Sequence, residues 1–287
     1  MNKQFDPSSI IGETPPKAAS FIVTIYGDAV EPRGGVLGMA NLIEVCARFQ
    51  ISESLVRTAV SRLVSAGQLV GEREGRRSYY RLTDAARREY TAASRILFAE
   101  EPEATSFRFV FSVSEESESL LRESGYTPFG QGGWIGPDRG AVVSDGIVFV
   151  ASHEVGSGAE SSPAFFGDLW DLPYYAEQYE AFERRFLPLA EHLAAERLLD
   201  GADALSLRFS LVHAYRAILL RDPRLPSSVL PENWPGTRAR RLFARLYISL
   251  SDVADAYVGR VFQDAFGLLP AESDAVHNRL NRLRQHL

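Results

Sequence analysis

Cysteine is nearly absent: the 287 residues hold one, Cys46. A single thiol can neither close an internal disulfide nor build a cysteine metal cluster. Its neighbours in "NLIEVCARF" are largely apolar, so it reads as a small buried hydrophobe. Long apolar runs are also missing. No stretch of about 18 apolar residues occurs, so no membrane-spanning helix is expected. The opening "MNKQFDPSSIIGETPPK" lacks the apolar core of a secretory signal and reads as a floppy lead-in. These absences point to a cytoplasmic protein. There is no GK[ST] phosphate loop, no HExxH and no GxSxG. "GQGGWIG" spaces Gly130, Gly132 and Gly136 one residue too long for a dinucleotide loop. It reads as a turn that lets Trp134 reach a core or an interface. His153, His192, His277 and His286 have no metal-ligand spacing, so no metal and no cofactor is expected.

Basic charge is in the minority, with 31 Lys+Arg against 37 Asp+Glu, and it is unevenly spread. Residues 50–88 hold eight arginines and four acids, a surplus of four positive charges in a chain of net −6. A cationic segment on an acidic body implies a polyanion contact confined to one face. Hydrophobic residues make up 45%, enough for packed cores in two or three domains.

Along the chain, Phe21, Ile22, Ile25 and Tyr26 give a first helical period that fades at Gly27, followed by a turn at "EPRGG". "MANLIEVCARF" is a second short helix. Ser52 caps a third that runs to about Ala66, with Gly67 as its stop. "QLVGEREGRRSYYRLT" reads as two strands around a Gly-Arg turn, and Thr83 and Asp84 cap a fourth helix. Three helices followed by a hairpin is the pattern of a winged helix-turn-helix, here over residues 17–98. "EEPEAT" is a linker. Residues 105–160 hold an alternating strand, "SFRFVFSV", a short helix, a loop-rich stretch through "GWIGP", and a strand-like segment around Asp145-Gly146. "GSGAESS" is a flexible break. Residues 165–287 are dominated by helical periods, with a bend at Pro188 and a proline-rich connection, "PRLPSSVLPENWPG". The fold class is α+β.

On a helical wheel, Leu55, Val56, Ala59, Val60, Leu63 and Ala66 share one side of the third helix. Ser54, Arg57, Thr58, Ser61 and Ser65 share the other, with Arg62 at the border. Small side chains allow close approach, hydroxyls reach phosphates or base edges, and arginine pairs with guanine in the major groove. The hairpin tip places Arg73, Arg76 and Arg77 beside Gly75 and before Ser78, where a wing tracks backbone or minor groove. Of Tyr79 and Tyr80, one faces inward and the other offers its hydroxyl to a phosphate. The bland alternative is a solvated amphipathic helix with a charged turn. Helix, wing and charge asymmetry in this order favour duplex DNA.

Elsewhere, His213 precedes Arg216 on a helix and Asp222 follows nearby, so His213 reads as hydrogen-bonded structure or as part of an effector site. Arg238, Arg240, Arg241 and Arg245 offer cations, and Trp170, Tyr174, Tyr175 and Trp234 an aromatic wall; both sets also read as ordinary helix surface and core.

Taken together, "YGDAVEPRGG", "SESLVRTAVSRLVSAGQLVGEREGRRSYYRLT", "GWIGP" and "HAYRAILLRDPRLPSSVLPENWPGTRARRLFARLY" resemble the PaaX family, repressors of phenylacetate catabolism, from about residue 17 to about 260. Phe21 and Ile22 depart from the leucine-rich first helix expected there. The resemblance implies a homodimeric repressor with an N-terminal winged helix-turn-helix, a small ferredoxin-like middle domain and a helical C-terminal domain. It implies DNA contacts at Ser54, Arg57, Thr58, Ser61, Arg62, Arg76, Arg77 and Ser78, on an inverted-repeat operator. It also implies release by an aryl-acyl coenzyme A thioester such as phenylacetyl-CoA, for which Trp134, His213, Arg216, Trp234, Arg238 and Arg241 are the candidate contacts. Two other readings stay open: an enzyme acting on a coenzyme A thioester with His213 as base, and a winged-helix adaptor that binds protein.

Overall fold

The computed structural model describes residues 5–11, 15–99, 103–140, 145–152, 162–195 and 198–287. The chain opens with a single turn, α1 (Ser8–Ile11), then α2 (Ala18–Ile25). The helical path does not end at Gly27. It continues as a π turn over Tyr26–Val30 and a 3-10 turn over Glu31–Arg33, where the sequence suggests a plain turn. There follow β1 (Val36–Gly38), α3 (Met39–Ala47), α4 (Glu53–Ser65), β2 (Leu69–Glu74), β3 (Arg77–Leu82) and α5 (Asp84–Phe98). The helix starts have the expected caps: Ser52 Oγ accepts from Leu55 N and Thr83 Oγ1 from Ala86 N.

Next come β4 (Phe107–Phe111), α6 (Glu115–Glu123), β5 (Thr127–Phe129), β6 (Gly133–Pro137) and β7 (Ile147–Ala151). The stretch read as loop-rich is therefore a hairpin. Gly133 is required inside it, because a Cβ there would lie 2.5 Å from the Phe111 ring. The chain closes with α7 (Ser162–Trp170), α8 (Leu172–Ala194), α9 (Gly201–Leu219), α10 (Pro235–Val261) and α11 (Asp274–Arg284). Pro188 lies inside α8, and the proline-rich connection leads into α10, a single helix of 27 residues. No helix among the described residues is long and apolar enough to cross a membrane. The "GSGAESS" stretch through Ser161 and His153 lie outside the described residues.

There are two antiparallel sheets, of order β1-β3-β2 and β5-β6-β4-β7. The chain divides into two compact units that do not follow the three segments expected from sequence. One comprises Met1–Glu100, Phe182–Arg216 and Arg240–Leu287; the other comprises Glu101–Ala181 and Ala217–Ala239.

The first unit contains the three-stranded sheet and a core in which Phe21 meets Phe49 at 4.2 Å between ring centroids. Cys46 is buried, as the sequence reading of a small buried hydrophobe requires, and burial pushes its thiol up to about 12. This unit extends into the C-terminal helices through an ion network. Arg208 Nε donates to Asp28 Oδ2 at 2.9 Å, and Arg208 Nη1 donates to Asp255 Oδ1 at 2.6 Å. Arg33 Nη2 also donates to Asp255 Oδ1, at 2.6 Å. Arg279 Nη1 reaches Asp28 Oδ1 at 3.3 Å, and Tyr247 donates to the same oxygen at 2.7 Å. All of these side chains are buried.

The second unit contains the four-stranded sheet. Val110, Leu121, Tyr126 and Trp134 form one cluster; Phe107, Ile135, Phe166, Trp170, Leu225 and Val229 belong to another.

Candidate nucleic-acid interface

The candidate surface is built on α3, α4 and the β2–β3 hairpin. The turn from α3 into α4 passes through Gln50, whose φ of 58° is left-handed and unusual for a side chain with a Cβ. Val56, Ala59, Val60 and Leu63 are buried, and α4 packs with them on α2 and α3. That matches the wheel at four positions. Leu55 and Ala66 do not follow it: Ala66 is exposed, and Leu55 is 55% exposed, on the same side as Ser54, Thr58 and Arg62. Each lies at an edge of the apolar stripe, where a 3.6-residue period alone does not say which way a side chain turns.

The outward face then carries Ser54, Leu55, Arg57, Thr58, Ser61 and Arg62. Thr58 Oγ1 donates to Ser54 O at 2.8 Å, the back-bond a helical threonine makes without a better partner. Arg57 is not free. Its Nε donates to Glu53 Oε1 at 2.8 Å, and the pair is exposed at both ends. Such a pair is worth about 0.3–0.5 kcal/mol, so a phosphate or guanine can displace it. Glu53 is one residue outside the acid-free window that the wheel covered.

The hairpin pairs Leu69 with Leu82 through to Glu74 with Arg77, and closes over Gly75 and Arg76. Gly75 has φ of 59°, which glycine adopts without strain. β1 adds Val36–Gly38 to the other edge of β3, a strand absent from the sequence reading. Arg73, Arg76 and Arg77 are exposed and Ser78 is half-buried. Arg73 Nε donates to Gly75 O at 3.2 Å; Arg62, Arg76 and Arg77 have no carboxylate partner among the described residues. Tyr79 is the inward tyrosine. Tyr80 is half-buried, its backbone carbonyl accepting from Tyr26 at 2.8 Å and its ring lying over Gly71. A narrow helix face of hydroxyls and arginine, followed by a tip with three arginines, is able to insert into a groove and grip backbone on either side.

The effector candidates are engaged differently. His213 Nδ1 shares a 2.9 Å hydrogen bond with Thr24 Oγ1, and its ring packs edge-on against Phe21. Burial, with Arg216 and Arg185 nearby, holds it down at about 4, so it is neutral near pH 7. Arg216 Nη2 donates to Ser20 O and Ser20 Oγ at 3.1 and 3.0 Å. Asp222, the acid considered for His213, accepts instead from Tyr179 OH at 2.5 Å and Arg224 N at 2.5 Å. Trp134 is a core residue under the Arg122 guanidinium, and Trp234 is half-buried against Tyr179. Arg238 and Arg241 are exposed.

Two family models match the chain: one described as PaaX-like protein, over residues 17–86, and one described as PaaX-like protein C-terminal domain, over residues 170–260. The transcriptional repressor PaaX of Escherichia coli (strain K12) is 30% identical over 295 residues, covering 95% of this chain and 93% of that protein. Among solved structures, the uncharacterized protein Rv0674 from Mycobacterium tuberculosis is similar in fold. Its TM-score is 0.50 at 22% identity, covering 84% of this chain and 98% of that one.

Proposed function

The chain belongs to the PaaX family, and from that premise we propose that it is a transcriptional repressor that reads duplex DNA with α4 and the β2–β3 wing. The observation that carries this is the outward face of α4, hydroxyls and arginines over a buried apolar stripe, followed directly by the arginine-tipped hairpin. In this reading the N-terminal part is a winged helix-turn-helix. Ser54, Arg57, Thr58, Ser61 and Arg62 enter the major groove, Leu55 offers its side chain to a thymine methyl, and Arg73, Arg76, Arg77, Ser78 and Tyr80 grip backbone and minor groove. The middle sheet is a ferredoxin-like module. Two copies on an inverted repeat hold their recognition helices about 34 Å apart.

The genes controlled are those of an aromatic-acid, phenylacetate-type catabolic operon, and an aryl-acyl-CoA such as phenylacetyl-CoA releases the protein from its operator. A differential affinity of about 1–3 kcal/mol between the two states gives a 5- to 150-fold loss of DNA binding. Arg238 and Arg241 are the solvent-facing candidates for the coenzyme A phosphates. A regulatory and not an enzymatic role follows from the kinship; His213 is bonded to the Thr24 hydroxyl, and Asp222, the acid considered for it, is bonded to Tyr179 and Arg224 instead. The test is a gel shift on DNA upstream of the protein's own gene, titrated with aryl-acyl-CoA thioesters and with the free acids. Release by one thioester and not by its acid supports the proposal; no shifted band at low ionic strength overturns it.

A further inference from the structure

Past the end of α10 the chain makes a tight hairpin that the candidate surface described above does not use. Gln263 and Leu268 pair across it as an isolated antiparallel bridge, and Leu269 N donates to Phe262 O at 2.8 Å. Asp264 fixes the tip. Its N donates to Gly267 O at 2.9 Å, and its Oδ1 accepts from Phe266 N at 2.7 Å and Gly267 N at 2.9 Å. Gly267 holds φ of 144°, in the range that favours glycine. On this turn Phe266 is 97% exposed, with Leu268 54% exposed beside it. The bonds fix the backbone under a ring that stays in water.

The hairpin is joined to the sheet that carries the β2–β3 tip. Gln263 O accepts from Gly38 N at 2.9 Å, on the side of β1 away from β3. Asn41, buried in the first turn of α3, donates through Nδ2 to Val261 O at 2.9 Å and accepts at Oδ1 from Gln263 N at 3.0 Å. Gly38 lies opposite Tyr79 on β3, two residues from Arg77 at the β2–β3 tip. Both hairpins therefore attach at the same end of one sheet, on its opposite edges. Arg260 and Gln263 are exposed next to the Phe266 turn.

We propose that this hairpin is a second wing, and that it sets Phe266 as a wedge into the minor groove flanking the major groove that α4 enters. The inference rests on the repressor reading and extends it to a segment far along the chain. The side chains suit that groove. Phenylalanine and leucine are among the residues that part base steps, glutamine reads the acceptors that A·T and T·A share there, and arginine holds the adjoining phosphates. Asp264, the acid of the tip, has Oδ1 engaged by the turn's own N–H groups. A protein partner fits less well. Two exposed apolar side chains are small against the roughly 800 Å² per partner of a stable complex, whereas a wedge needs one ring. Insertion kinks the duplex by about 20–90° towards the major groove, so the DNA closes onto α4 and the β2–β3 tip.

The test uses the full chain and the fragment upstream of its own gene. Circularly permuted copies of that fragment report the bend, and filter binding over a salt series reports affinity. Phe266→Ser loses the bend and at least about fivefold in affinity, with the salt slope unchanged, since no charge is removed. Phe266→Leu, which keeps a wedge side chain, retains most of the bend. Arg260→Ala lowers the salt slope by about one ion. An exposed tip leaves the denaturation midpoint of each variant nearly fixed, so lost binding is not lost folding. The inference is overturned if Phe266→Ser bends and binds the fragment as the wild type does, or if it alters sedimentation and not DNA binding. Those outcomes leave the repressor reading standing; a wild type that binds no duplex at low ionic strength overturns both.

Discussion

Two sets of arginines in the first unit show how one residue type takes opposite roles. Arg62, Arg73, Arg76 and Arg77 stand on the candidate DNA surface, exposed, with hydrogen-bonding capacity left for a ligand. Arg33, Arg208 and Arg279 are buried; Asp28 and Asp255 supply the counter-charge, and backbone carbonyls such as Pro270 O and Gly27 O take several of the remaining donors of Arg33 and Arg279. In water a guanidinium is cheap to keep charged; in a protein interior it persists only where carboxylates offset the lost solvation. The first set is therefore replaceable for stability and costly for binding, and the second the reverse. The buried set also explains part of a family motif. In "YGDAVEPRGG", Asp28 and Arg33 join the turns after α2 to α9, α10 and α11, so the N-terminal segment is built into a larger packed body.

The hardest blow to this contrast falls on the buried set. Asp28→Ala leaves Arg208 and Arg279 short of their counter-charge and should cost about 3–5 kcal/mol in chemical denaturation. A loss under 1 kcal/mol would mean that the network adds little. On the exposed set, Arg62→Ala and Arg77→Ala should each weaken operator binding by about 1–3 kcal/mol if they touch bases. If they touch only phosphate, the salt dependence should fall by about one ion in slope. Either way the denaturation midpoint should stay nearly fixed, with stability changed by no more than about 0.5 kcal/mol.

His213 tests the same contrast through pH. Its folded value of about 4 lies below the ordinary 6.5, so the unfolded chain takes up the proton first. Stability is then complete above pH 6.5 and declines as pH falls from about 6.5 towards about 4; His213→Gln should flatten that part of the profile in thermal melts. The smallest effect belongs to Glu53→Gln. It frees Arg57 from its surface pair at a stability cost of about 0.3–0.5 kcal/mol, and filter binding should show tighter operator affinity.

Much of the candidate site was legible because its signals are local. Ser52 and Thr83 cap helices where their side chains reach the next free N–H groups, and the Gly-Arg turn between two short runs over residues 69–82 marks a hairpin. What escaped had no local signature. β1 is three residues long, too short to alternate, and exists because β3 offers it an edge. The β5–β6 hairpin was hidden by glycines, which read as loop until Phe111 and Tyr126 are seen to need the space over Gly133 and Gly136. Leu55 sits at the margin of an apolar stripe, where only the neighbouring helices decide which side it faces.

By itself the sequence determined the first helices, the β2–β3 hairpin, the cationic segment and the family resemblance, because caps, periodicity, charge and motif are properties of neighbouring residues. Only the tertiary structure decided which arginines face water and which are locked inside, that residues 182–216 and 240–287 belong with the N-terminal head, and that the Phe266 hairpin joins the edge of β1. Those outcomes depend on distant partners, Asp28 and Arg279 being 251 positions apart, and no window of sequence contains both.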